Sequence, residues 1–85
     1  MKVEKPVVIF DLETTGPWVE RDKIIEIAMI KLFPDGQKET YYSRVNPGMT
    51  IPDEVVQLTG ITNEQVANEP AFRDIARAVV DFIDD

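Results

Sequence analysis

Two carboxylates stand two residues apart where an apolar run meets a turn: Asp11 and Glu13 follow Val7–Phe10 and precede Gly16. In an extended strand, residues two apart lie on the same face, so both acids should face the same side. Two acids side by side at the end of a buried run are costly unless a positive group lies between them. A divalent cation meets that need, and oxygen-only ligands favour Mg²⁺ or Mn²⁺. Such metals activate water for phosphodiester hydrolysis.

Composition and charge limit the classes of function. The chain has 85 residues, which is room for one small domain or for part of a larger one. Its net charge of −7 argues against a module that holds nucleic acid by general phosphate neutralisation. The charge leaves open an enzyme that meets phosphate through metal at one point. Histidine is absent, so no imidazole acid, base or ligand is available within these residues.

Targeting signals are not evident in the sequence. Cysteine is absent, which excludes disulfides and thiolate metal sites. The N-terminal residues are not followed by an apolar signal core, and no apolar run approaches membrane-spanning length. We therefore predict a cytoplasmic protein with no membrane partner.

Hydrophobic periodicity predicts three strands and then helices. The strands are expected at about residues 6–13, 23–33 and 38–46, and the helices at about 53–58, 63–66 and 71–83. The continuous apolar run Val7–Phe10 predicts a central first strand that is covered on both faces. A turn signal at Pro34–Gln37 joins the next two strands into an antiparallel hairpin. The fold class is thus α/β, with a three-stranded, mainly antiparallel sheet followed by helices.

Three strands and one packing helix make a thin core. A domain of this size buries a smaller fraction of its surface than a larger domain does, and it is only marginally stable alone. We therefore expect the chain to be part of a larger domain, with under-covered apolar surface that favours self-association.

The segment Val7–Gly16 closely resembles the first motif of the DEDD superfamily of 3′–5′ exonucleases. Within that superfamily it is most similar to the DnaQ-like branch, which contains the epsilon proofreading subunit of bacterial DNA polymerase III. Residues 23–28 look like that family's second strand. Residues 51–54 and 58–62 look like its segment before the last helix of this chain.

The resemblance implies a partial ribonuclease H-like fold, with residues 1–85 as the N-terminal part of a single exonuclease domain. It implies a hydrolase that uses two Mg²⁺ or Mn²⁺ ions to release nucleoside monophosphates from a single-stranded DNA or RNA 3′ end. A DNA polymerase partner and a role in DNA replication are further implications. Asp11 and Glu13 match the first two metal-binding catalytic acids, with Asp11 bridging the ions and Glu13 holding the one that activates water. The positions that match substrate contacts are Thr14, Thr15, Gly16, Glu54 and Thr59.

The chain also departs from the family pattern. The family's third and fourth acids and its histidine or tyrosine general base have no match here. Asp81, Asp84 and Asp85 are acidic but match no motif. Many relatives carry histidine at the position of Thr59. We therefore expect the isolated 85-residue chain to be inactive and to bind metal weakly or not at all.

Two other functions compete with this one. The run before Asp11 also resembles the opening of haloacid-dehalogenase-like phosphatases, although those carry Asp rather than Glu two residues on. A catalytically inert fragment or interaction module that retains the first motif is the non-enzymatic alternative. Trp18 could stack on a base, but packing of this side chain on the hairpin is the preferred expectation. Glu26, an acid inside an apolar strand, is expected to give structural support.

Overall fold

A computed structural model describes residues 4–84 of the chain. It contains three antiparallel strands followed by helices, which confirms the predicted fold class. β3 ends two residues before its predicted end. No helix within residues 4–84 is long and apolar enough to cross a membrane. The elements are β1 (Val7–Thr14), β2 (Ile24–Leu32), β3 (Lys38–Arg44), α1 (Asp53–Thr59), α2 (Asn63–Val66) and α3 (Phe72–Ile83).

The central strand of the sheet is β2, not β1. The strand order is β1-β2-β3, and within the described residues β1 pairs on one side only. The expectation that β1 is central and covered on both faces is therefore wrong for this part of the chain: Ile9 is 51% exposed and Phe10 is 60% exposed. A continuous apolar run predicts that both faces of a strand are buried, but it does not predict which elements bury them.

One face of the sheet packs against α3. Ile27 and Met29 of β2 are buried there with Val45 and with Val79 of α3. Val8 and Leu12 of β1 pack against the same cluster, in keeping with the alternation of a strand. This cluster is the larger part of the core, and it fixes which face of β1 points away from α3.

The end of α3 is held by a lysine from the sheet. Lys31 of β2 is 4% exposed, and its ammonium group donates hydrogen bonds to the carbonyl oxygens of Phe82, at 3.1 Å, and Asp84, at 2.7 Å. The last carbonyls of a helix have no partner within the helix and carry its negative dipole end. No basic residue lies in the last turn of α3 itself, so Lys31 supplies the missing positive charge from β2.

A second cluster anchors the two short helices to the start of β2. Ile25 is buried against Ile51, Ile61 and Val66, and Val55 of α1 packs beside them. A capping box begins α2: the Thr62 hydroxyl accepts from the Gln65 backbone N–H, and the Gln65 side-chain oxygen accepts from the Thr62 backbone N–H. α1 is followed by Gly60, which terminates the helix in the left-handed conformation with φ 76°.

Candidate active site

Asp11 and Glu13 lie on the face of the sheet that points away from α3. Directly paired residues of an antiparallel sheet point to the same side. Asp11 pairs with Ala28 and Glu13 pairs with Glu26. These partners alternate with Ile27 and Met29, which point toward α3. Both predicted metal-binding acids therefore share one open face, at the end where β1 runs into a turn.

The donor chemistry of the pair fits a hard divalent cation, but the number of ligands is incomplete. Asp11 is exposed and Glu13 is half-buried, so both carboxylates are accessible. Carboxylate oxygens are the ligands that Mg²⁺ and Mn²⁺ prefer. Within residues 4–84, however, no group of three or more acids, histidines or cysteines comes together. Asp11 and Glu13 could hold part of a metal site, and further ligands would have to join them.

Glu26 opposes Glu13 across the two strands and is drawn toward β3. The Tyr42 hydroxyl donates a hydrogen bond of 2.5 Å to Glu26 Oε2, and Arg44 Nε lies 3.8 Å from the same oxygen. This hydrogen bond to the carboxylate raises the pKa of Tyr42. Two carboxylates directly opposite each other would repel. Tyr42 and Arg44 are the polar partners of the Glu26 carboxylate. Glu26 therefore has its own partners although it faces Glu13, as expected for a structural role.

The turn after the acids closes back on the start of β2. A bulge at Glu13–Thr14 ends the regular pairing. Thr15 is 1% exposed, and its hydroxyl donates to Asp22 Oδ1 at 3.0 Å and accepts from the Lys23 N–H at 3.0 Å. The Thr15 N–H in turn donates to the Lys23 carbonyl oxygen at 2.8 Å. The side chain of Thr15 is thus directed inward, and only its backbone could meet a ligand.

Gly16 passes against the Asp22 carboxylate. A Cβ atom at Gly16 would lie 2.6 Å from Asp22 Oδ2, closer than real side chains approach. The Thr14 hydroxyl donates to the Gly16 carbonyl oxygen at 2.7 Å. Three of the five predicted substrate positions, Thr14, Thr15 and Gly16, therefore lie in one hydrogen-bonded loop directly after Glu13. A side chain at the position of Gly16 would have to displace the Asp22 carboxylate.

The carboxylate of Asp22 makes folding stability depend on pH. The hydrogen bond from the Trp18 N–H lowers the pKa of Asp22 below its usual 3.8; desolvation opposes this shift, and the Thr15 hydroxyl and the Arg21 charge reinforce it. A group with a lowered pKa in the folded state stabilises above its unfolded pKa, and that contribution is lost as pH falls through the folded pKa. We expect the free energy of unfolding, measured by urea titration at a series of acidic pH values, to fall less steeply in Asp22→Asn than in the wild type. Identical slopes would contradict this.

Glu54 and Thr59 lie on α1, whereas the acid pair lies on β1. Glu54 is exposed in the first turn. The Thr59 hydroxyl donates to the Val55 carbonyl oxygen at 2.8 Å and accepts from the Ile61 N–H at 3.1 Å, so it serves the end of the helix. The buried cluster around Ile25 places α1 at the end of the sheet where Glu13 lies, because Ile25 is adjacent to the Glu26 partner of Glu13.

Sequence reasoning did not single out Asp22. Asp22 lies seven residues after Thr15. No periodic pattern links a threonine that follows β1 to an acid that precedes β2. The one signal was Gly16, since a glycine after a strand implies that something passes close to its backbone. Trp18 is 59% exposed, and the expectation that it packs on the hairpin stays a prediction. Of the remaining acids, Asp81 pairs with Arg77 and Asp84 ends α3, whereas Asp85 lies outside the described residues.

Comparison with known proteins identifies one family. The RNase T exonuclease family model matches residues 8–85. The chain is 38% identical over 91% of its length to the 3′-5′ exonuclease DinG of Bacillus subtilis (strain 168). It is 32% identical over 92% of its length to the DNA polymerase III subunit epsilon of Aquifex aeolicus (strain VF5).

A solved structure shares the fold. The structure described as 3′-end specific recognition of histone mRNA stem-loop by 3′-exonuclease superposes with a TM-score of 0.77 at 26% identity, covering 95% of this chain. The fold is that of ribonuclease H-like exonucleases, present in part. The chain spans 8% of the length of DinG, 39% of that of the epsilon subunit and 31% of the superposed structure.

Proposed function

This chain belongs to the RNase T exonuclease family, and from that membership we propose that it is the N-terminal part of the catalytic domain of a metal-dependent 3′–5′ exonuclease. The observation that carries the proposal is the placement of Asp11 and Glu13. Both acids lie on the open face of the sheet, at the end of β1, next to a loop that is fixed by hydrogen bonds. An accessible acid pair on a regular strand can bind metal without having to reorganise.

The proposed roles follow from the positions of the side chains. When bound, divalent metal ions would activate water and stabilise the leaving oxygen of a phosphodiester. Asp11 and Glu13 would hold one side of those ions, and the loop Thr14–Gly16 would lie against the terminal nucleotide through its backbone. The other ligands and the general base would come from the part of the domain that the relatives have and this chain does not span.

The proposed substrate is the 3′ end of a single-stranded nucleic acid. One relative is named as a subunit of DNA polymerase III and one similar structure as a reader of histone mRNA, so both DNA and RNA occur among the similar proteins. The net charge of −7 supports recognition at one metal-bound end rather than along a basic surface. A polymerase is the proposed partner, because the epsilon subunit is a polymerase component by name.

The alternative function is an inert module that retains the acid pair. It is favoured by one observation: within residues 4–84, no third acid or histidine joins Asp11 and Glu13. A complete domain with the missing ligands would remove this alternative.

The test is a polarity assay on a protein that contains this chain together with the remainder of its domain. Single-stranded DNA and RNA would each be labelled at the 3′ end or at the 5′ end. We expect rapid release of a 3′-labelled mononucleotide and a gradually shortening 5′-labelled strand, both abolished by EDTA and restored by Mn²⁺. Early release of the 5′ label, or activity that EDTA does not affect, would contradict the proposal.

A further inference from the structure

The carboxylate of Asp22 ties together the loop that follows the acid pair. We propose that Asp22 is a positioning residue of this nuclease, which fixes the backbone of Thr14–Gly16 relative to Asp11 and Glu13. The inference rests on the proposed function, because it assigns Asp22 a task at the same site. Among the described residues, the hydrogen bonds and the ion pair of the Asp22 carboxylate are with Thr15, Trp18 and Arg21.

Both oxygens of Asp22 are used inside the loop. Oδ1 accepts from the Thr15 hydroxyl at 3.0 Å, and Oδ2 accepts from the Trp18 N–H at 2.8 Å. The Asp22 side chain is 4% exposed, although its neighbour Arg21 is 67% exposed. A carboxylate withdrawn from water costs free energy unless its lone pairs are satisfied. The hydrogen bonds therefore hold Asp22 in one place, and Asp22 holds the loop.

The loop and the carboxylate fit without spare room. Because a Cβ atom at Gly16 would lie 2.6 Å from Asp22 Oδ2, the backbone of Gly16 is in direct contact with the carboxylate. Removing the Asp22 carboxylate would leave a gap under Gly16 and release the Thr15 hydroxyl and the Trp18 N–H together. The segment that would then move begins two residues after Glu13.

The connection to the acid pair passes through the bulge. The register of β1 and β2 shifts between Glu13 and Thr14, and the Thr15 N–H then bonds the Lys23 carbonyl oxygen. A bulge sets the direction of the side chains beside it. The direction of the Glu13 carboxylate therefore depends on the loop being held at Thr15, which is the task of Asp22.

The loop of residues 16–22 contributes little to the core, so an effect of Asp22 on catalysis can be measured apart from an effect on folding. Its tip is solvent-exposed, with Val19 93% exposed and Glu20 also exposed. Among the described residues, the two buried apolar clusters include no member from residues 16–22. Loss of the Asp22 clamp should therefore disturb the loop and leave the packed sheet intact.

The experiment compares kcat and KM for 3′-end release in the protein with its complete domain. Asp22→Ala is expected to lower kcat by about 10- to 100-fold, the range typical when groups that orient metal ligands are removed, with KM changed less than about twofold. Asp22→Asn keeps an oxygen for the Thr15 hydroxyl but offers no second acceptor, so its loss should be intermediate. Glu20→Ala, in the same loop but at its exposed tip, is the matched control and should behave as wild type.

A double-mutant cycle and hydrogen exchange complete the test. Thr15→Val removes the hydroxyl that Asp22 accepts, so Thr15→Val combined with Asp22→Ala should lower kcat no further than either alone. Hydrogen–deuterium exchange should rise in the peptide covering residues 14–23 and stay unchanged in β2 beyond Ile27. Wild-type kcat in Asp22→Ala, or additive losses in the double variant, would overturn the positioning role while leaving the nuclease in place. A wild-type protein with no 3′-end cleavage would overturn the proposed function, even where the exchange shows the clamp intact.

Discussion

Replacing Asp11 by alanine is expected to lower kcat for 3′-end cleavage by about 10³-fold or more in the protein with its complete domain. Metal ions contribute several kcal/mol to stabilising the charge of a phosphodiester transition state. About 4 kcal/mol corresponds to three orders of magnitude in rate. Asp11 is exposed on the open face of the sheet and belongs to neither buried cluster, so its loss should remove metal binding without unfolding the sheet.

The measurement is single-turnover release of a 3′-terminal nucleotide at saturating Mn²⁺, together with Mn²⁺ affinity measured by calorimetry. Asp81→Ala is the matched control, because Asp81 is an exposed acid on α3 whose only ion pair is with Arg77 among the described residues. We expect wild-type rates and affinity in the control. Activity that survives Asp11→Ala would remove the metal-ligand assignment.

Replacing Ile25 by alanine is expected to lower the free energy of unfolding of this chain by about 3 kcal/mol. Ile25 is 0% exposed and packs against Ile51, Ile61 and Val66, so its side chain joins both short helices to the sheet. Truncation of a fully buried isoleucine costs about 2–5 kcal/mol, since the transfer term and the residual cavity add. In a domain of this size such a loss is a large share of the total stability.

The check is a urea titration followed by far-ultraviolet circular dichroism. Ile30→Ala is the matched control, because Ile30 lies on the same strand but is 39% exposed. Its substitution should cost under about 1 kcal/mol. Equal losses in the two variants would show that the cluster around Ile25 does not carry the stability assigned to it.

The order and type of the elements could be predicted because they depend on local pattern. Alternation and turn residues mark β2 and β3, and spacings of three and four mark α3. The shared face of Asp11 and Glu13 likewise follows from the period of a strand. The neighbours of β1 could not be predicted, because strand pairing is decided by the three-dimensional arrangement and a continuous apolar run fits several arrangements.

The loop after the acids was the other gap in sequence reasoning. The contact between Thr15 and Asp22 depends on a bulge, and a bulge leaves no regular mark in the sequence. The hydrogen bond from the Trp18 N–H to Asp22 was missed for the same reason. In this chain the spacing of Asp11 and Glu13 predicts the acid pair, whereas no pattern predicts the contact between Thr15 and Asp22 beside it.

The hydrogen bonds from Lys31 to the last carbonyl oxygens of α3 also fix the position of the end of that helix. Lys31 pairs with Val8, the second residue of β1, and bonds the Asp84 carbonyl oxygen at 2.7 Å. The end of α3 is therefore fixed above the beginning of β1, the strand whose outer edge has no partner among residues 4–84. A strand added to that edge from this point needs only a short connection and would run parallel to β1. Short connections have a low closure entropy and fold early. A buried lysine thus fixes where α3 ends relative to the edge of β1 that has no partner among residues 4–84.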